Sequence, residues 1–248
     1  MSDVLNLILA HQSAPTVTKM IDYWSKCVPR DNILIAYGGN KSEFDAIDYA
    51  QKFFVDDARL RTSDHQREFQ SYTGLLRATA AWIDNQSRRF DFVHFAEYDH
   101  LPLVNDLNPR QIASLTAERA DLLGYSLARV DETNHPHFLY HSANPEFAAF
   151  WRRITCRADA NVVLSIFGSG SFWTREAFCA VAAIDEPFPI YTELYLPTLA
   201  HHVGFRVRSF DEQQHPFVQA VGDATGKIDN ARAQGAWTLH PVKQFWTN

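Results

Sequence analysis

Phe90-Asp91-Phe92-Val93-His94-Phe95-Ala96-Glu97-Tyr98-Asp99-His100-Leu101-Pro102 is an apolar, aromatic-rich run that ends in two carboxylates one residue apart, then a histidine and a proline stop. The run fits a buried strand, and its ending is how a sheet edge presents acid. In open α/β sheets ligands sit beyond the carboxyl ends of the strands, so Glu97 and Asp99 are expected to face a crevice rather than the core. Oxygen ligands at such a place suit a hard divalent cation that carries a phosphate. A cap on the following loop would use the same acids, and the tripeptide alone does not separate the two.

Upstream, residues 5–10 form a short apolar run typical of an interior strand, opening into His11-Gln12-Ser13-Ala14-Pro15. A helix follows, with Ser13 as cap, Pro15 in the first turn, and Val17, Met20, Ile21 and Trp24 at helical spacing. Residues 32–37 read as a second strand, ended by Gly38-Gly39-Asn40, so the pair makes a βαβ unit with parallel strands and a right-handed crossover. A third strand over 52–55 ends at Asp56-Asp57. These ends and Glu97 are expected on one rim. Residues 67–84 carry Phe69, Tyr72, Leu76, Thr79, Ala80 and Ile83 at three- and four-residue steps, which predicts a helix leading into the acidic strand.

Downstream, Asn108-Pro109 predicts a helix start with Asn as cap, and Ile112 and Leu115 on its buried face. A strand is expected over 121–127, then a loop over 131–141 with a short strand at Phe138-Leu139-Tyr140. Asn144-Pro145 starts another helix, with Phe147, Phe150, Trp151 and Ile154 on its apolar side. Residues 162–167 read as a strand opening onto Gly168-Ser169-Gly170-Ser171, after which Thr174 caps a helix. The last helix is expected over 192–202, with Pro197 tolerable only near its first turn and Gly204 as its stop. Residues 205–210 alternate as an edge strand, and 221–235 show no clear period and read as a flap.

The 248-residue chain, 46% hydrophobic and 21% charged, is of ordinary globular composition and long enough for one large α/β domain. Its net charge of -6 gives no electrostatic reason to expect nucleic acid or an anionic membrane surface. The first residues lack a basic n-region, and no stretch is apolar for the roughly 18 residues that a membrane span requires. A soluble, cytoplasmic protein is expected. Cys27, Cys156 and Cys179 lie far apart without C-x-x-C spacing and read as free thiols. The sequence contains no G-x-x-x-x-G-K-[ST] loop, no G-x-G-x-x-G after the first strand and no G-x-S-x-G elbow. A ligand held mainly by side chains and a metal is the remaining reading.

A first strand with a polar loop, a Gly-ended second, an Asp-ended third, and a long helix delivering a fourth that ends in acid-x-acid together resemble the GT-A glycosyltransferases. The resemblance implies a GT-A-like, Rossmann-like mixed sheet, centrally parallel and flanked by helices, in a single domain over 1–248. Its nucleotide-sugar half would span about 1–105 and its acceptor half about 106–248. It implies that Glu97-Tyr98-Asp99 binds Mn²⁺ or Mg²⁺ bridging the diphosphate of a UDP- or GDP-sugar. Glu stands where the family's first Asp is usual, so Asp99 is the expected direct ligand and Glu97 is left open between direct contact and a bridging water. The stretch Thr192-Glu193 resembles the acceptor-side acidic helix start, making Glu193 the general base if the reaction inverts. Trp237-Thr238-Leu239-His240-Pro241-Val242-Lys243 resembles the place from which a His returns to the metal, with Lys243 adding positive charge at the diphosphate. His11, Gln12, Gly38, Asp56 and Asp57 would lie on the donor rim.

Each assignment has a plainer competitor. Glu193 also suits a helix N-terminus, His201 and His202 a helix C-terminus, and Asp56 or Asp57 a turn. His240 and His94 could be packed, hydrogen-bonded histidines. Phe172 and Trp173 could stack on a sugar or fill the core. The expected activity is transfer of a sugar from a nucleotide-diphosphate donor to a glycan or other hydroxyl acceptor. The alternatives are a sugar-phosphate nucleotidyltransferase of the same fold, a non-catalytic nucleotide- or glycan-binding protein, and a metal-dependent phosphohydrolase.

Overall fold

The computed structural model describes residues 3–56, 65–184, 190–211 and 225–243. In chain order its strands are β1 (Val4–Ala10), β2 (Ile33–Tyr37), β3 (Lys52–Phe54), β4 (Phe92–Glu97), β5 (Leu101–Pro102), β6 (Leu122–Gly124), β7 (Ala128–Arg129), β8 (Leu164–Ser165), β9 (Ser171–Thr174), β10 (Val207–Ser209) and β11 (Thr238–Leu239). The helices are α1 (Ala14–Trp24), α2 (Lys41–Ala46), α3 (His65–Asp84), α4 (Leu107–Ala117), α5 (Pro136–Ser142), α6 (Pro145–Ile154), α7 (Arg175–Ala182), α8 (Thr192–His202) and α9 (Thr225–Ala233).

The central sheet has seven strands in the order β10-β6-β9-β4-β1-β2-β3. β1 pairs in parallel with β2 and β4, and β2 with β3, while β9 runs antiparallel between β4 and β6. This is the expected mixed, centrally parallel sheet. Its middle strands are apolar without alternation because helices cover both faces; every residue of β1 and β2 is buried. One core lies under α1, with Val17, Met20, Ile21 and Trp24. The other lies under α3, α7 and α8, with Leu76, Ile83, Phe178 and Leu199. The parallel register aligns Ala10 with Tyr37, Tyr37 with Phe54 and Leu9 with Glu97, so the carboxyl ends of four strands share one rim.

A polar patch interrupts the first core. Asn6 Nδ2 donates to Asn108 Oδ1 (3.1 Å), Asn108 Nδ2 donates back to Asn6 Oδ1 (2.9 Å), and His94 Nδ1 lies 3.2 Å from that same oxygen. Burial holds the His94 pKa down to about 3, so this histidine is neutral and structural. Asn108 is therefore not the cap of α4. Asp106 occupies that place, and the Asn108 side chain is spent on satisfying Asn6 inside the sheet.

Other expectations are corrected in similar ways. Phe138-Leu139-Tyr140 is not a strand but lies in α5, with Pro136 in the first turn, where its missing N–H costs nothing. Only Leu164–Ser165 of the run 162–167 is a strand, and it pairs with β7 outside the central sheet. Residues 225–233 form α9 rather than a loop, with Ile228 and Ala231 buried. Phe172 and Trp173 are fully buried in β9, which removes them as a sugar platform. Thr174 does cap α7, accepting from the Ala177 amide at 3.2 Å.

Pro197 lies inside α8 rather than in its first turn. It cannot donate to the carbonyl four residues back, that of Glu193, and the Ile166 amide takes the place at 3.0 Å. Thr198 Oγ1 adds two further links to Leu164, accepting from its amide at 2.9 Å and donating to its carbonyl at 3.0 Å.

Gly170 adopts φ +88°, and a Cβ there would fall 2.2 Å from Tyr125 Cε2 and 2.5 Å from His100 Cε1. Both rings are locked in the core. Gly170→Ala is therefore expected to destabilise the fold by about 3 kcal/mol or more, through strain at positive φ plus overpacking. A melting temperature equal to that of the unsubstituted protein would contradict this packing.

Candidate metal centre

Glu97 is the last residue of β4, and Asp99 follows in a turn closed by the His100 amide on the Glu97 carbonyl at 3.0 Å. The third residue arrives from the far end of the chain. β11 pairs antiparallel with β5, Thr238 opposite Pro102 and Leu239 opposite Leu101. The pairing is extended by Leu103 N to Trp237 O and by Val242 N to Asp99 O, both 2.8 Å. Tyr125 and Thr238 hydroxyls meet at 2.9 Å beneath it. This clamp leaves His240 directly above the acids.

His240 Nε2 lies 3.2 Å from Asp99 Oδ1 and 3.4 Å from Glu97 Oε2. One ligand atom from each of the three residues can be chosen so that all lie within 4.8 Å of one another. The distances are short, yet Asp99 Oδ1 and His240 Nε2, both buried, have no aligned hydrogen-bond partner. One imidazole thus meets two carboxylates at once in ion-pair contacts, a grouping that a cation could also bridge. Two carboxylate oxygens and an imidazole nitrogen are the donor set that Mn²⁺ or Mg²⁺ accepts, Mn²⁺ the more readily with nitrogen. The residues fit a divalent cation.

Charge supports the same reading. Burial alone would lower the His240 pKa, but Asp99 and then Glu97 outweigh it and raise it to about 9. Without metal, the trio holds a proton. Its contribution to stability is complete below the ordinary value near 6.5 and is lost as pH rises through about 9.

Glu193 opens α8 on the adjoining rim. Burial raises its pKa, and Glu97 raises it further, against smaller opposing effects of His135 and His240. His137 Nδ1 lies 3.2 Å from Glu193 Oε2. Between the two acidic places runs Ile166 to Ser169. Ile166 N holds the Glu193 carbonyl, and Ser169 Oγ accepts from the Glu97 amide at 3.0 Å while lying 3.3 Å from His100 Nδ1.

The remaining expected residues are dispersed. His11 and Gln12 follow β1, and the His11 ring meets Tyr98 edge-on at 5.0 Å. Gln12 Oε1 accepts from the His11 amide at 3.0 Å. Gly38 donates to Ala10 O at 2.9 Å, holding the β1 and β2 ends together. Asp56 lines a cleft of about 350 Å³ with Asn40, Lys41 and Phe54. Lys243 is exposed just beyond Val242. Asp57 lies outside the described residues. His202 is structural, with Nδ1 2.9 Å from Thr155 Oγ1 and Nε2 2.9 Å from Val162 O. Sequence reasoning missed Ser169 and His137. Ser169 carried a faint signal in Gly168-Ser169-Gly170, whereas His137 carried none.

No family model matches the chain, and no curated protein matches it in sequence. Several solved structures are similar in fold. One is a mannosyltransferase from Pyrobaculum calidifontis in complex with GDP-mannose and Mn²⁺, at 13% identity and a TM-score of 0.43, covering 84% of this chain and 55% of that one. Another is core-mannan synthase A from Aspergillus fumigatus in its Mn/GDP form, at 8% and 0.43, covering 85% and 73%. A third is glucosyl-3-phosphoglycerate synthase from Mycobacterium tuberculosis with Mn²⁺ and UDP-glucose, at 14% and 0.41, covering 84% and 68%. The chain spans just over half the length of the first. Among the described residues no helix is long and apolar enough to cross a membrane.

Mn²⁺ must displace the His240 proton, so calorimetric affinity is expected to rise about tenfold per pH unit and level off near pH 9. His240→Gln should flatten that dependence, and Asp99→Asn should weaken binding by about 100-fold. An ion-pair triad of purely structural role would take up no Mn²⁺ at any pH.

Proposed function

We propose that the chain is a metal-dependent glycosyltransferase of the GT-A type, moving a sugar from a UDP- or GDP-sugar to a hydroxyl acceptor. The observation that carries this reading is the convergence of Asp99, Glu97 and His240 beyond the carboxyl ends of parallel strands, one ligand atom of each within 4.8 Å of the others. Asp99 and His240, both shielded, would hold the ion, and Glu97, a third exposed, would complete its coordination or anchor a water in it. When bound, the divalent cation supplies Lewis-acid stabilisation of the departing nucleoside diphosphate.

The chain's own residues divide the remaining work. His11, Gln12, Gly38 and Asp56, on the same rim, would line the nucleotide, in a donor half reaching to about residue 105. Lys243 would add positive charge beside the diphosphate. The acceptor half would supply Glu193 as general base. Burial and then Glu97 raise the pKa of its carboxyl group, a direction that favours taking a hydroxyl proton. We take the two halves to work as one domain. A sugar-phosphate nucleotidyltransferase is disfavoured by the loop His11-Gln12-Ser13-Ala14-Pro15, which has neither the glycine nor the arginine that grips a triphosphate.

A thermal-shift panel of nucleotide sugars, with and without Mn²⁺, is expected to show one UDP- or GDP-sugar raising the melting temperature only when metal is present. With that donor, Glu193→Gln should lower kcat by about 10²- to 10⁴-fold and leave the donor KM nearly unchanged. Consumption of a nucleoside triphosphate with release of pyrophosphate would favour the nucleotidyltransferase instead.

A further inference from the structure

Leu139, Tyr140 and Phe167 are the exposed large hydrophobic side chains among the described residues, at 50%, 51% and 39%. Single exposed apolar residues are ordinary, but Phe167 and Tyr140 each neighbour residues that contact Glu193. Phe167 stands between Ile166, whose amide holds the Glu193 carbonyl, and Gly168, where a Cβ would lie 3.7 Å from Glu193 Cγ. Leu139 and Tyr140 share α5 with His137, whose Nδ1 is 3.2 Å from Glu193 Oε2.

The α5 side of this arrangement is firmly built. The His137 ring stacks on Tyr191, with centroids 4.0 Å apart and planes 7° from parallel. Tyr140 meets Tyr191 edge-on at 6.3 Å, and the Tyr191 amide donates to His141 Nε2 at 3.1 Å. Glu193 thus has Tyr191 and Tyr140 on its α5 side and the segment carrying Phe167 beside its backbone, with its side chain about a third exposed.

Such a place has a definite chemical preference. Aromatic faces accept the C–H face of a sugar ring, while a carboxylate and an imidazole between them accept and donate hydrogen bonds to its hydroxyls. The charged groups acting on the Glu193 carboxylate are Glu97, His135 and His240, with no lysine or arginine among them, so a phosphorylated or carboxylated ligand would meet an acid and no permanent cation beside it. We propose that the acceptor is an uncharged glycan, one sugar ring seated against Phe167 and Tyr140 and a hydroxyl directed at Glu193. This inference rests on the glycosyltransferase reading. In the step it serves, the acceptor oxygen forms a bond to the donor's anomeric carbon. The bond from that carbon to the diphosphate breaks, its electron pair leaves with the nucleoside diphosphate, and the hydroxyl proton passes to Glu193.

The test is saturation-transfer NMR on the whole chain with diamagnetic Mg²⁺ and UDP or GDP. The probes are trisaccharides of mannose, glucose, galactose and N-acetylglucosamine, with glycerol 3-phosphate as an anionic comparison. One trisaccharide is expected to show transfer from aromatic resonances to its ring C–H protons, and glycerol 3-phosphate none. Phe167→Ala and Tyr140→Ala should each weaken that trisaccharide by about three- to tenfold, while Phe167→Tyr and Tyr140→Phe, which keep the ring, should bind as the unsubstituted protein does. Preference for glycerol 3-phosphate, no binding of any trisaccharide, or binding indifferent to both alanine substitutions would overturn the inference. Mn²⁺-dependent binding of UDP or GDP is read separately on the unsubstituted protein. Its absence would sink the glycosyltransferase reading itself, whereas its presence beside a failed trisaccharide test would sink the glycan alone.

Discussion

Everything at the candidate site depends on a two-residue antiparallel pairing between β5 and β11. Four residues cannot form an independent ribbon; what holds them is the surrounding core, with Leu101 and Leu239 fully buried. The pairing is lengthened by main-chain bonds at Leu103 and Val242, so the segment returning from the end of the chain is fixed on both sides of His240. Because Val242 binds the carbonyl of Asp99 itself, the same backbone contact positions one ligand and locates another.

That arrangement gathers like charges in a place poorly exposed to water, which is unfavourable unless something compensates. Protonated His240 offsets part of the repulsion between Glu97 and Asp99, and a divalent ion would offset more of it. Glu193, its pKa raised first by burial and then by Glu97, holds its proton more tightly. Two carboxylates are thus gathered for coordination, and one of them, Glu97, adds to the basicity of a third. One electrostatic environment serves both purposes.

The sequence disclosed those parts whose signal is local. β1, β2 and β4 are apolar runs, broken only by Asn6 and His94, because parallel strands are buried on both faces, and the acids that end β4 are visible as a break in such a run. His240 lies far from them in sequence and within two-residue pairings too short to show any period, so only the family resemblance pointed to it. α5 reads Pro-His-Phe-Leu-Tyr-His-Ser, whose consecutive apolar residues suggest a strand; just one of its residues, His141, is buried. α9 is polar, with too few buried positions to show a helical stripe. Asn108 misled for another reason: a residue suited to capping is used inside its helix to satisfy a distant buried amide.

The proline inside α8 has a consequence for spacing. By vacating the Glu193 carbonyl it lets Ile166 attach there, and three residues later Ser169 attaches to the amide of Glu97. A four-residue strap, anchored at its ends by these bonds and midway by the Phe167 amide on the Tyr125 carbonyl at 3.1 Å, thereby acts as a ruler between the carboxylate that would take a proton and those that would hold a metal. The reach of the two centres toward a common substrate is set by chain length, and adding or deleting a residue between Ile166 and Ser169 would recalibrate it without altering a single acidic side chain.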